Sequence, residues 1–209
     1  MRLTILGATG PTGQQVLDQA LAAGHDVTVL VRTPDRLPQS ARDRVTVLTG
    51  DATLTSDVRQ ALTGSDAVIS ALGSGSDLKS DIASRAARAL IPAAELSGTK
   101  RVVVLSALGS GTTATHAGAV PRLFGKLLMG TVFADKAVAD DLVRSSGLGW
   151  TLVRPAILTN GPHTGSYSAV EVPQRKVGDR ISRADVADFM LRAASDDVWS
   201  HRDAVLLTH

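Results

Sequence analysis

The chain has 209 residues, 44% of them hydrophobic and 20% charged, with a formal charge of +2 and no cysteine. That length is enough to bury a sizeable core, and the composition is that of a soluble globular protein rather than a disordered or fibrous one. The lack of cysteine excludes disulfides and thiolate metal sites. Lys and Arg are interleaved with Asp and Glu throughout, so no basic block offers itself to a nucleic acid.

Aromatic residues make up only 3% of the chain, which leaves the core to Ala, Val, Leu and Ile. The opening run MRLTIL meets a glycine too early to be a signal peptide, and no later run approaches a membrane span. A cytoplasmic protein without membrane contact is expected.

In chain order, LTIL, VTVLV, RVTVL, AVIS, RVVVL and WTLV read as strands, apolar on both faces as parallel strands covered by helices should be. Amphipathic stretches lie between several of them. GQQVLDQALAAG carries Val16, Leu17, Ala20 and Leu21 on one side and ends at Gly24. SDIASRAARALIPAAELSG carries Ile82, Ala86, Leu90 and Ala93, with Pro92 placed to kink or interrupt it. FADKAVADDLVRSSG presents Ala134, Ala137, Val138 and Leu142. From about Asn160 the texture changes to loop and strand, followed by a helix in SRADVADFMLRAA and a last strand in DAVLLT. Ser182 and Asp185 have the spacing of a capping box. Strands alternating with helices predict an α/β fold, a Rossmann-type doubly wound parallel sheet, in one domain over 1–209. The part from about 160 to 209 is expected to form a small C-terminal segment on the substrate side.

GATGPTG follows the first strand and opens the first helix, with Gly7, Gly10 and Gly13 three residues apart. Glycines in such a turn let the backbone approach a pyrophosphate, and the helix points unpaired N–H groups at it. The strand–glycine loop–helix context marks this as a dinucleotide site. An acidic residue at the end of the second strand would grip the ribose hydroxyls of NAD. Here the strand runs into Arg32, with Arg36 four residues on, and a guanidinium pair suits the 2′-phosphate of NADP(H). Asp35 stands between them and could neutralise the pair, which would leave two ordinary surface cations.

The hexapeptide SALGSG occurs twice, at Ser70–Gly75 and Ser106–Gly111, each time just past a strand's carboxyl end. Ligands of open α/β sheets bind outside those ends. Two low loops of small residues over which a ribose and a nicotinamide can lie explain the repetition better than duplication does.

Taken together, GATGPTGQQV, VTVLVRTPDRL, GDAT, GSDAVISALGS, RVVVLSALGSG, SGLGWTLVRPAIL, GPHTGSY and ISRADVADFMLR resemble the atypical short-chain dehydrogenases/reductases of the NAD(P)H-binding, NmrA-like group. The pattern is most similar to the biliverdin-IX-beta reductase (flavin reductase) branch, nearly end to end. The resemblance implies that Gly7, Thr9, Gly10, Pro11, Thr12 and Gly13 hold the pyrophosphate and that Arg32 and Arg36 bind the 2′-phosphate. It further implies that Asp51 and Ala52 meet the adenine, and that Leu72, Gly73 and Ser106 line the ribose and nicotinamide. Pro155 and Ala156 would fix the face of the nicotinamide ring, and Lys136 would bond its ribose. Ser106 and Lys136 are the catalytic candidates.

Typical short-chain dehydrogenases place a tyrosine four residues before the lysine, as acid or base. Here that position is Val132, and the chain's one tyrosine is Tyr167. Alcohol–ketone chemistry and sugar epimerisation by that route are therefore disfavoured. A flat conjugated acceptor (a flavin, a biliverdin-like tetrapyrrole or a quinone) needs mainly to be positioned over the nicotinamide. An NADPH-dependent reductase of such a small-molecule acceptor, monomeric or homodimeric, is the leading expectation. The alternative is a non-catalytic NADP(H) sensor of NmrA type.

Other residues have plainer readings. Lys136 could be a surface lysine paired with Asp140, and Ser106 could merely cap its loop. His116 and His163 lack metal-ligand spacing and read as loop residues, so no metal is expected. Trp150 and Phe133 read as core. The apolar, basic Pro121–Gly130 segment could be a flap, a dimer contact or a buried helix.

Overall fold

The structure is a computed structural model that describes residues 1–75, 77, 80–108, 130–171 and 180–208. In chain order the elements are β1 (Arg2–Leu6), α1 (Pro11–Ala22), β2 (Asp26–Val31), a short 3-10 turn (Pro34–Arg36), α2 (Gln39–Arg42), β3 (Thr46–Thr49), α3 (Thr55–Ala61) and β4 (Ala67–Ser70). They continue with α4 (Ile82–Ser97), β5 (Arg101–Leu105), α5 (Gly130–Arg144), β6 (Gly149–Arg154), β7 (Ile157–Thr159), β8 (Tyr167–Val170), β9 (Arg180–Ser182), α6 (Arg183–Ser195) and β10 (Arg202–Thr208).

Eight strands form one sheet in the order β3-β2-β1-β4-β5-β6-β10-β8. Every pairing is parallel except that of β10 with β8. The chain starts in the middle at β1, winds outward to β3, then crosses back to β4 and winds the other way. This is the Rossmann order, and it puts a topological switch point between β1 and β4.

The alternating side chains of the strands divide the core between two faces. Leu3, Ile5, Val27, Val29, Ile69 and Val103 point to one face, where Val16 and Leu17 of α1 and Phe189 and Met190 of α6 cover them. Leu6, Leu30, Val68 and Val102 point to the other and pack under α3 and α4, through Val58, Leu90 and Ala93. Trp150 and Leu152 extend that face under α5, and the Trp150 ring meets His201 edge-on. Phe133 is only partly buried.

Three features depart from the sequence reading. Helix α4 runs through Pro92 without a break; the bond lost there would have ended on the carbonyl of Arg88, an exposed residue that water can serve. Helices α2 and α3 lie in stretches where the sequence reading singles out no helix, because four and seven residues hold too little periodicity to register. The third strand starts at Thr46 rather than Arg44, since Arg44 bends away to donate Nη2 to Leu21 O at 3.0 Å. Most of the last 50 residues complete the scaffold: β10 and β8 extend the sheet and α6 fills the core, while β7 and β9 pair apart as a small parallel ribbon. His116 and the Pro121–Met129 stretch lie outside the described residues.

Candidate dinucleotide site

The glycine loop is shaped by two close backbone approaches. Gly7 has φ +86°, and a Cβ there would lie 2.8 Å from the carbonyl of Ala71. A Cβ on Gly13 would come within 2.0 Å of Gly7 O. Neither position can carry a side chain without moving backbone. Gly10 differs, since its Cβ would meet only Gly7 O, at 3.4 Å. Gly10 N–H closes the turn on Gly7 O at 3.0 Å.

Helix α1 then starts with Pro11 at its first position, where a missing N–H costs nothing. No side chain caps this end and no acidic residue sits in its first turn. The amides of Thr12 and Gly13 have no partner among the described residues. Unpaired N–H groups at the positive end of a helix, on a loop stripped of side chains, fit a pyrophosphate. The residues present therefore suit a dinucleotide.

Gly7 also meets the backbone of the first hexapeptide. Ala71 N–H donates to Leu6 O at 2.9 Å, which lays the backbone of Ala71 and Leu72 against Gly7. A side chain at position 7 would push the two loops apart. The described start of the second copy is stitched to β6 instead. Ser106 N–H donates to Val153 O at 2.8 Å, and Leu108 N–H to Pro155 O at 3.2 Å.

On the adenosine side, Arg32 and Arg36 are exposed and have no ion pair or side-chain hydrogen bond among the described residues. Asp35 is occupied elsewhere, accepting from Arg42 Nη1 at 2.8 Å. Asp51 binds Thr53 through both its amide and its hydroxyl, each at 2.9 Å. The Thr53 amide, helped by the nearby Arg32 and Arg85 cations, holds the Asp51 carboxyl below its ordinary range. Ala52 is buried beside it. Arg85 of α4 also reaches this corner, donating Nη2 to Thr53 Oγ1 at 3.1 Å. Sequence reasoning passes over Arg85, because a single arginine on the polar side of a helix looks like any solvated charge.

Across the sheet, a narrow cleft lies between the ends of β4 and β5 and the facing sides of α4 and α5, lined by Ser70, Leu72, Ser106, Lys136 and Asp140 and by apolar residues such as Leu90. Gly73 is exposed in the loop past β4, while Pro155 is buried just after β6 and Ala156 partly buried beside it. Lys136 turns inward, donating Nζ to Leu105 O at 3.1 Å. Its partnership with Asp140 does not form, since no ion pair joins Lys136 to any described residue. Burial pulls its pKa below the usual lysine value, opposed by the fields of Asp140 and Asp135. Asp140 is itself buried, accepting from Ser106 Oγ at 2.9 Å and from Arg154 Nη2 at 3.0 Å. Arg154 and Asp140 are the functional-site neighbours that sequence reading misses, for both look like surface charges until the fold encloses them.

Tyr167 is committed elsewhere. It sits on β8, three strands from β5, with its hydroxyl donating to Asp188 and its ring edge against Phe189. Burial and the Asp188 carboxylate push its pKa well above the usual tyrosine value. His163 stands 3.8 Å from Asp188 and 4.0 Å from Asp185, in a turn far from Lys136 in sequence.

Known proteins share this architecture. An uncharacterised sugar epimerase of Bacillus subtilis, YhfK, is 27% identical over 208 residues, covering 97% of this chain and 92% of that protein. The anaerobilin reductase ChuY of Escherichia coli O157:H7 superposes with a TM-score of 0.86 at 25% identity, covering 100% of this chain and 97% of that one. A short-chain dehydrogenase/reductase of Veillonella parvula, solved in complex with NADP, superposes at 0.83 with 20% identity, covering 99% and 94%, and shows the shared fold. Among the described residues no helix is long and apolar enough to cross a membrane. A family model for NAD(P)H binding matches residues 7–197, from the first loop glycine to the turn before β10, and the chain belongs to that NAD(P)H-binding family.

Proposed function

We propose that the protein is an NADPH-dependent reductase of a flat conjugated acceptor, a flavin, a bilin-type tetrapyrrole or a quinone, with residues 1–209 working as one domain. The observation that carries this reading is the narrow cleft at the ends of β4 and β5, which Ser106 and Lys136 line, while the chain's one tyrosine lies on the distant strand β8 with its hydroxyl bound to Asp188 of α6. A site of this kind has no phenol to serve as acid or base, so it favours acceptors that need positioning more than proton transfer. That argues against the epimerase label carried by YhfK and towards the reductase label of ChuY.

NADPH supplies the hydride when bound. In this reading the loop Gly7, Thr9, Gly10, Pro11, Thr12 and Gly13 holds its pyrophosphate, and Arg32 with Arg36 binds the 2′-phosphate. Asp51 and Ala52 bound the adenine, Leu72 and Gly73 support the ribose, and Lys136 bonds its hydroxyls. Ser106, Pro155 and Ala156 border the nicotinamide ring. The inward Lys136, when protonated, adds positive charge beside the cleft, which favours an acceptor that becomes anionic as it is reduced.

The test is NADPH oxidation followed by absorbance with FMN, riboflavin, biliverdin and a simple quinone, with NADH in parallel. Turnover with NADPH and a marked preference over NADH supports the reading. Tight NADPH binding without oxidation by any acceptor points instead to a dinucleotide sensor.

A further inference from the structure

Arg154 ends β6 immediately before Pro155, and its guanidinium is 0% exposed. A buried cation is tolerated only where its charge and its N–H groups are met. Three elements converge to do so. Asp140 of α5, 2% exposed, accepts Nη2 at 3.0 Å. Asp203 of β10 accepts Nε, and the carbonyl of Ala107, just past β5, accepts Nη1 at 3.2 Å. Arg144 braces Asp203 at 3.1 Å and reaches Asp141 at the surface at 3.0 Å. A string of alternating charges thus runs from the surface of α5 to the underside of the cleft. Its inner end is the Ser106 hydroxyl, donating to Asp140 Oδ2 at 2.9 Å.

Buried ion pairs add little stability over apolar packing of the same volume. What this string does add is a fixed direction for one proton. A serine hydroxyl has a single hydrogen; once it is given to Asp140 it is not available to a molecule in the cleft.

Resting on the reductase reading above, we propose that Asp140, clamped by Arg154 and Asp203, is a positioning residue that turns the Ser106 proton into the protein and so restricts the enzyme to acceptors whose reduced form takes its proton from water. Hydride transfer carries both electrons of the C–H bond from the dihydronicotinamide to the acceptor. The nicotinamide is oxidised, the acceptor is reduced to its anion, and one proton from water completes the reduced acceptor. A flavin, bilin or quinone spreads that negative charge over a conjugated system. An isolated ketone becomes a localised alkoxide that needs an acid at the moment of transfer, and Ser106 withholds its proton from that role.

The proton can be located by neutron diffraction on crystals of the deuterated full-length protein. A deuteron on Ser106 Oγ lying along the line to Asp140 supports the clamp, and one directed into the cleft overturns it. Kinetics test the consequence: FMN or a quinone is expected to be reduced at least 100-fold faster than cyclohexanone, about what a missing general acid is worth, and comparable rates overturn the proposal. Asp203→Asn loosens the clamp from its outer side. It is expected to narrow the ratio of the FMN rate to the cyclohexanone rate at least about 10-fold by freeing the Ser106 proton, with the Kd for NADPH, read by fluorescence, within about threefold. An unchanged ratio would remove Asp203 from the device. If no acceptor is turned over at all, the reductase reading falls and takes the acceptor class with it, while the deuteron still decides the clamp.

Discussion

The carboxylate of Asp35 faces Arg42, whose Nη1 lies 2.8 Å away, and not the two arginines that flank it in sequence. That pairing settles whether Arg32 and Arg36 are neutralised by their own turn. The turn Pro34–Arg36, held by Arg36 N–H to Thr33 O at 3.1 Å, sends Asp35 towards α2 and leaves both guanidiniums exposed. A charge-assisted hydrogen bond is worth about 1.5–3 kcal/mol. Arg32→Ala and Arg36→Ala are therefore each expected to raise the Kd for NADPH by about 10- to 100-fold while moving that for NADH by less than about threefold. Arg42→Ala, which releases Asp35 beside the pair, should weaken NADPH a few-fold and spare NADH. Fluorescence titration of both nucleotides at low and moderate salt checks all three variants, and equal losses for the two nucleotides would refute a 2′-phosphate site.

The glycine loop supports a graded prediction. At Gly13 a methyl group would sit 2.0 Å from Gly7 O, where only backbone can yield. Overpacking of that kind costs about 1–3 kcal/mol, which in a chain of this size lowers the melting temperature by about 2–12 °C. Gly13→Ala should show that loss without any ligand present. Gly10→Ala, with its one neighbour at 3.4 Å, should melt within about 2 °C of the parent and still bind NADPH more weakly. Thermal melts with and without NADPH separate the two; a Gly13→Ala protein as stable as its parent would contradict the close approach.

How far the sequence could be read depended on whether a signal was local. The strand Leu3–Leu6, the glycines after it and the amphipathic stripe through Val16 and Leu17 all lie within one strand–helix unit, so pattern alone locates them. Ser182 and Asp185 likewise announce their cap, and Ser182 Oγ does accept from Asp185 N–H at 2.9 Å. Contacts between distant segments leave no such trace. Arg154, Asp140 and Asp203 come from β6, α5 and β10, and none of their local sequences says that the three side chains meet under one cleft. The exchange of Lys136 for Arg154 as the partner of Asp140 is of this kind: helical spacing favours the near neighbour, and burial of a guanidinium overrides it.

Helix α4 is capped from outside its own sequence. Both oxygens of Asp135, on α5, accept from its first turn, at 2.8 Å from Ala83 N and 3.1 Å from Ser84 N. Asp81, at the N-cap position, contributes no side-chain bond. An N-cap carboxylate is worth about 0.5–2 kcal/mol, so Asp135→Ala should lower the melting temperature by about 1–8 °C. Since Asp135 precedes Lys136, the same change should loosen the cleft wall and raise KM for the acceptor. Hydrogen exchange is the specific readout: protection is expected to fall at the start of α4 first, and uniform loss across the molecule would assign Asp135 no capping role.

Asp185 ties the turn before β8 to helix α6. Its oxygens accept from the amides of Thr164 at 2.7 Å and Gly165 at 2.9 Å, and from the hydroxyls of Thr164 and Ser182 at 2.9 and 2.8 Å. Burial alone would raise its pKa, but these four donors outweigh burial and bring it below the ordinary 3.8. A carboxyl with a folded pKa below its unfolded one contributes stability that is complete above the unfolded value and is lost as the pH falls through the folded one. Asp185→Asn keeps the shape and removes the charge, so at pH 7 it should cost about 1–3 kcal/mol. As the pH drops below about 4 the parent loses the same contribution and the two melting curves should converge. A gap between them that stays constant from pH 7 to pH 3 would mean that the carboxylate charge does not hold the turn.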